Sequence, residues 1–251
     1  MSSPGKEGMK SGSHSASVFV GFVAMCAAVM LGHSLLRMKP LHGFEFLSVL
    51  FLAVLTSRMK VKLPGVTGNM SMNLPFLLIA VVQLSLVEAL LIALASTVAQ
   101  CFPKAGGKPK AVQMLFNVSV VAVAVGLGGL IFQHKLPLRI AWSSDSLLLV
   151  MAAATVFLVQ TMPVATIISL TEGGRILRIW SSIFQLSFPY YVLSAGVTSI
   201  VTTVSRHVDW QIPLLVLPAM YAVYRSYQLY FRQAAPMASV FAMAKSAGAG
   251  N

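Results

Sequence analysis

One apolar run, Leu74 to Phe102, constrains this chain more than any other stretch. It is 29 residues long and carries a single formal charge, Glu88. As one helix rising 1.5 Å per residue it would reach about 43 Å, well past the roughly 30 Å hydrocarbon core of a bilayer. Its middle reads Ser85-Leu-Val-Glu88, the spacing at which a Ser and a Glu three residues on satisfy each other's backbone N–H groups at the start of a helix. The run is therefore read as two helices folded back on each other. The first arm, Leu74 to Leu84, is only about 16 Å long as helix, so it is short or re-entrant and its backbone must be shielded by protein.

Further apolar segments run from Ala16 to Leu36, Gly43 to Ser57, Ala111 to Gln133, Ser146 to Thr171, Phe188 to Ser205 and Gln211 to Phe231. With 57% hydrophobic residues and six acids in 251, no polar block is large enough to bury a core of its own. The expected fold class is all-α: a polytopic membrane helix bundle of about eight membrane helices, one of them short or re-entrant, plus one interfacial helix. In domains this gives a disordered cytoplasmic amino-terminal tail over residues 1–15, an integral membrane domain over 16–233 and a disordered cytoplasmic tail over 234–251. The first apolar segment is long for a signal peptide and lacks a clear cleavage site, so it is expected to remain as the first span.

Loop charges test the folded-back reading. If the third run returns to the side it started from, 13 of the 18 Lys and Arg residues fall on the side of the amino end and five on the other. If it crosses once, the division becomes eight against ten. Because cytoplasmic loops carry the excess of Lys and Arg, the first arrangement is preferred, with both termini cytoplasmic. The net charge of +12 does not imply nucleic acid, since the basic residues are scattered in short loops instead of forming one face.

Between Gly173 and Phe184, the residues Arg175, Ile176, Leu177, Arg178, Ile179, Trp180 and Ile183 have the mixture expected of a helix lying in the membrane interface. Trp142, Trp180 and Trp210 all fall at expected interfaces. Tyr221, Tyr224, Tyr227 and Tyr230 recur every three residues and read as interfacial anchors. Ala89, Ala93 and Ser96, and likewise Ala122, Gly126 and Gly129, are small-residue stripes that permit close helix approach. Cys26 and Cys101 lie in apolar segments and behave as small hydrophobes.

Candidate ligand contacts are the polar groups embedded in apolar sequence: Glu45, Asn69, Asn73, Gln83, Glu88 and Asn117. A charge inside the bilayer is costly, so a buried acid faces a partner or a cavity. Glu88 fits helix capping as well as a site, and Glu45 fits an ion pair with the nearby Arg37, Lys39 or His42. The segment from Lys62 to Asn73 contains Pro64, Gly65, Thr67, Gly68, Asn69, Ser71 and Asn73. It either lines a polar cavity or forms a turn that satisfies its own backbone. Asn117, Gln83, Gln160 and Thr161 fit interhelical hydrogen bonding equally well. The histidines show no metal-ligand spacing, and no nucleophile elbow, P-loop or dinucleotide fingerprint is present. No catalytic residue, metal or cofactor is expected.

Val159-Gln-Thr-Met-Pro-Val-Ala-Thr-Ile-Ile-Ser-Leu-Thr-Glu-Gly-Gly174, then Ile179-Trp180, Ser187-Phe-Pro-Tyr-Tyr191 and Tyr224-Arg-Ser-Tyr-Gln-Leu-Tyr230, form a pattern. So do Lys62 to Asn73 and Pro109-Lys-Ala-Val-Gln-Met-Leu-Phe-Asn117. Over roughly Ala16 to Gln233 the chain resembles the amino-terminal membrane region of bacterial, notably acidobacterial, signalling proteins with HD-GYP or GGDEF output domains. In those proteins the last helix leads into a cytoplasmic signalling domain, whereas here Arg232-Gln-Ala-Ala-Pro236 leads into an Ala, Ser and Gly tail. The resemblance implies a sensing or anchoring module of the bacterial inner membrane, without cyclic-dinucleotide chemistry of its own. The expected function is a non-catalytic sensor-type module that takes a small or lipid-like ligand. Its partners would be the lipid bilayer and a separate cytoplasmic signalling protein or other membrane subunits. A substrate-binding membrane subunit of a transporter and a structural subunit of a larger membrane complex are the alternatives.

Overall fold

The computed structural model describes residues 5–36, 43–62, 69–102, 110–133, 145–204 and 216–230. Its helices are α1 (Gly5–Leu36), α2 (Gly43–Ser57), α3 (Leu74–Gln83), α4 (Leu86–Cys101), α5 (Ala111–Gln133), α6 (Asp145–Glu172) and α7 (Ile176–Val204), with a further helix, α8, over 216–230. Among the described residues the remaining element is a two-stranded antiparallel pair, β1 (Lys60–Lys62) with β2 (Asn69–Ser71). The fold is an all-α membrane helix bundle. Three helical stretches, His14–Leu36, Ala111–Gln133 and Asp145–Glu172, are each long and apolar enough to cross a bilayer. Their outward faces carry large apolar side chains, with Phe22 58% and Val29 65% exposed, a surface suited to lipid.

Contacts fix the helix directions. Phe19 of α1 meets Phe116 of α5 with ring centroids 6.2 Å apart, and Met30 lies against Gly126, so α1 and α5 run parallel. Cys101 at the end of α4 lies beside Asn117, while Leu86 at its start lies against Gly129. The two helices are therefore antiparallel. Val156 of α6 packs on Gly128, and Val164 and Ile167 pack around Phe116, so α6 also opposes α5. Ile183 joins Ala165 and Ile168 near the α6–α7 turn, whereas Phe188 and Tyr191 reach back to Phe157. That sets α7 against α6.

The break inside the long apolar run falls where the capping pattern places it. Ser85 is the N-cap of α4, and its hydroxyl accepts the Glu88 backbone N–H while the Glu88 carboxylate accepts the Ser85 backbone N–H at 2.8 Å. The hairpin returns. Arg58, just after α2, donates to the Ala99 carbonyl at 3.0 Å, and Lys60 donates to the Phe102 carbonyl at 3.4 Å. Both residues cap the carboxyl end of α4, where cationic side chains are favoured. The chain leaving α2 and the chain leaving α4 thus emerge together.

Two expectations change. The amphipathic stretch after Gly174 is the opening of the continuous helix α7 rather than a helix of its own. Pro189 lies inside that helix, where neighbouring helices make proline tolerable. Among the tyrosines of α8, Tyr224 and Tyr227 pack on the core while Tyr221 and Tyr230 face outward. Helix α1 begins at Gly5, ahead of its apolar run. Trp142, Trp210, positions 63–68 and the tail over 234–251 lie outside the described residues.

Candidate functional site

Helix α3 starts inside the bundle. Every residue from Leu74 to Val81 is buried, so the free N–H groups of its first turn must find partners within the protein. They do. The Leu74 N–H donates to the Tyr190 hydroxyl at 3.3 Å, Pro75 has no N–H, and the Phe76 and Leu77 N–H groups return to the Asn73 carbonyl at 3.1 and 3.2 Å. Proline at this position removes a donor that would otherwise be stranded.

Around this start sits a cluster of neutral polar residues drawn from α2, β2, α4, α7 and the turn before α3. The Asn73 amide donates to Ser96 Oγ of α4 at 3.2 Å. Its Oδ1 accepts from Ser71 Oγ of β2 at 3.0 Å, and that hydroxyl also lies 3.2 Å from the Ser57 carbonyl of α2. From α7, Tyr190 reaches the Leu74 amide and Thr198 Oγ1 lies 3.3 Å from the Pro75 carbonyl. Asn73, Ser57, Ser71, Ser96, Tyr190, Ser194 and Thr198 are all buried. Thr97, next along α4, keeps a buried hydroxyl oxygen with no hydrogen-bond partner among the described residues. The cluster presents amide and hydroxyl groups only, so it can hydrogen-bond a neutral polar group but holds no acid and base pair for proton transfer.

The six sequence candidates do not converge. Asn73 lies in the cluster. Glu88 is fully buried at the opposite end of the α3–α4 hairpin, where its Oε2 also accepts from Ser85 Oγ at 2.7 Å. Gln83, half-buried, ends α3 near the same corner. That corner is closed by Gln133 of α5, whose amide donates to the Val81 and Leu84 carbonyls at 3.3 and 2.9 Å. Asn117 lies between α5 and α4, its amide 3.8 Å from Cys101 Sγ. Glu45 is exposed in the first turn of α2, and its suggested partners Arg37, Lys39 and His42 lie outside the described residues. Asn69 of β2 pairs through its backbone with Lys62 of β1. Among the described residues no group of three His, Cys, Asp or Glu side chains comes together to hold a metal ion.

A second polar and aromatic seam joins α6 to α7. Trp180 Nε1 donates to Thr161 Oγ1 at 3.1 Å, and the Tyr191 hydroxyl donates to Gln160 Oε1. Phe157 makes edge-to-face contacts with Phe184, Phe188 and Tyr191 at centroid distances of 5.4, 5.9 and 4.7 Å. Gln160 and Thr161 therefore act in interhelical bonding, as their place within a span suggests. Thr198 and Thr97 escape the sequence reading, which takes Ser96 as a packing residue and Tyr190 as part of a family pattern without assigning either a polar role. A hydroxyl in an apolar helix looks the same whether it bonds its own preceding turn or a distant element, and only the Ser187-Phe-Pro-Tyr-Tyr191 stretch marked this part of α7.

No curated protein and no solved structure matches this chain. The family model MASE9, which describes a membrane-associated sensor domain, matches residues 10–232. That span takes in α2 to α8 and all of α1 but its first five residues, and the chain belongs to this family of membrane sensor domains.

Proposed function

We propose that the chain is a non-catalytic sensor module of the bacterial inner membrane, with both termini cytoplasmic. It takes a small or lipid-like ligand and acts on a cytoplasmic signalling protein. The carrying observation is the buried cluster of neutral polar groups at the start of the short helix α3, within a chain that belongs to a sensor family. Asn73 is the proposed ligand contact. Its amide is held by side chains from two other elements, and a polar group displacing Ser71 or Ser96 would be read by both. Gln83, Glu88, Asn117 and Glu45 lie apart from that cluster, and any contact they make belongs to separate positions along the bundle, whereas Asn69 shares β2 with Ser71.

The orientation is supported by charge. Arg58, Lys60, Lys110, Arg175 and Arg178, together with Glu172, lie at the bundle end where α2, α4 and α6 finish, while Glu45 and Asp145 open α2 and α6 at the other. The basic end is the cytoplasmic one under the positive-inside rule. Output proteins of the HD-GYP or GGDEF kind are the proposed partners, on the strength of the resemblance at Val159 to Gly174 and Tyr224 to Tyr230.

Gentle purification from native membranes, followed by mass spectrometry of retained proteins and small molecules, tests this reading. A signalling protein should copurify, and Asn73→Leu should lose the retained small molecule while keeping the fold. Preparations that reproducibly lack a signalling partner, together with unchanged cyclic-dinucleotide levels on deletion, would overturn it. Uptake of a labelled solute abolished by Asn73→Leu would instead identify a transport subunit.

A further inference from the structure

The amino end of α3 is tied to α7 by two hydroxyls, and one of them has a choice of partner. Thr198 Oγ1 lies 2.9 Å from the Ser194 carbonyl in its own helix and 3.3 Å from the Pro75 carbonyl of α3. A hydroxyl has one proton, so these carbonyls compete for it. One turn or two earlier on α7, Ser194 Oγ donates to the Tyr190 carbonyl at 2.7 Å, and the Tyr190 hydroxyl accepts the Leu74 N–H. Tyr190 is the bulkiest of the fully buried side chains among the described residues. The same α7 begins at the α6–α7 turn, where Arg175, Leu177 and Arg178 are exposed and Trp180 bonds Thr161.

We propose that Tyr190 and Thr198 form a coupling joint by which the α3–α4 hairpin sets the position of α7 and hence of the exposed turn at its start. In the engaged position Tyr190 holds the Leu74 amide and Thr198 shares its proton with the Pro75 carbonyl. In the released position Thr198 turns wholly to Ser194 and α7 shifts along α3. The Leu74 amide lies deep in protein, so losing Tyr190 leaves a donor without water to replace it. This asymmetry favours the engaged position until something else satisfies the amide. A polar ligand seated at Asn73, next in the chain to Leu74, is placed to do so. That last step rests on the sensor reading, whereas the joint itself rests on the bonds between α3 and α7.

The test uses the full chain in nanodiscs, with Trp142→Phe and Trp210→Phe leaving Trp180 as the reporter. In a second background, Cys26→Ala and Cys101→Ala, Arg178→Cys reports on the turn through its maleimide labelling rate. Tyr190→Phe and Thr198→Val should each shift Trp180 emission and change the labelling rate by about threefold, the factor that one interhelical hydrogen bond is worth in a membrane. Thr198→Ser, which restores the hydroxyl, should return both readouts to the parent values. Should Tyr190→Phe fail to fold, Thr198→Val against Thr198→Ser still decides. Folded variants with the parent spectrum and the parent labelling rate overturn the joint. A responsive joint in a chain that alters no signalling output would leave the joint standing and remove the sensor function.

Discussion

At the scale of single residues, the corner of the α3–α4 hairpin shows how few groups end one helix and start another inside a membrane. Gln133 supplies donors to the last carbonyls of α3, and Ser85 and Glu88 satisfy the first amides of α4. Glu88→Ala should destabilise the protein by about 1–3 kcal/mol, the cost of leaving a buried donor unsatisfied, read as a lower midpoint in thermal unfolding in detergent. Glycine matters here through space. A Cβ on Gly129 would stand 2.6 Å from Leu86 Cδ1, and one on Gly128 2.8 Å from Val156 Cγ2. Gly128→Val should cost about 1–3 kcal/mol by overpacking, measured in the same way, whereas Gly21→Ala, inside α1 where a Cβ meets nothing within 4 Å, should leave the midpoint no lower and raise it slightly through helix propensity. The capping pair is legible in the sequence because its members are three residues apart. The Tyr190 partner of Leu74 is not, because it lies 116 residues away and nothing local marks which of two adjacent tyrosines turns inward.

Elements are legible to the extent that length and hydropathy decide them. The long apolar run had to break, and it breaks at Ser85. The β1–β2 pair escaped because strands of three residues carry no periodicity, and its register is set by neighbours such as Ser57 and Met59, which bond Ser71 and Met72. The continuity of α7 through Pro189 escaped for a different reason. A proline between an amphipathic and an apolar stretch reads as a boundary, but inside a bundle the freed carbonyl does not end the helix. Pro75 acts at a start instead, and Pro75→Ala would place a new N–H at a buried position. That variant should lose about 1–3 kcal/mol by thermal unfolding, although alanine is the better helix former. At this scale the folded-back hairpin also predicts labelling. Single cysteines at Lys60 and Lys108 should react with an impermeant reagent from the same face of the membrane, and reaction from opposite faces would contradict the return of α4 beside Lys60.

The molecule as a whole is ordered from the inside out: a buried half-helix, a shell of longer helices, and an apolar exterior. Charge sorting gives it a polarity along the membrane normal. Impermeant labelling should therefore find Arg178→Cys on the face shared with Lys60→Cys and find Asp145→Cys on the other. The loop charges bear on this arrangement because the division of 13 against five depends only on how many times the chain crosses, and the labelling pattern is its test. The sequence could not foretell the polar cluster, which depends on which faces of α2, α4 and α7 meet around Asn73. The interior position of α3 carries a consequence for biogenesis. A segment whose Leu74 amide finds its partner in Tyr190 has no finished place when it leaves the ribosome, since α7 has yet to be made. Insertion of this chain must hold the α3–α4 hairpin in waiting, sheltered by earlier helices or by the insertion machinery, until synthesis has passed Thr198.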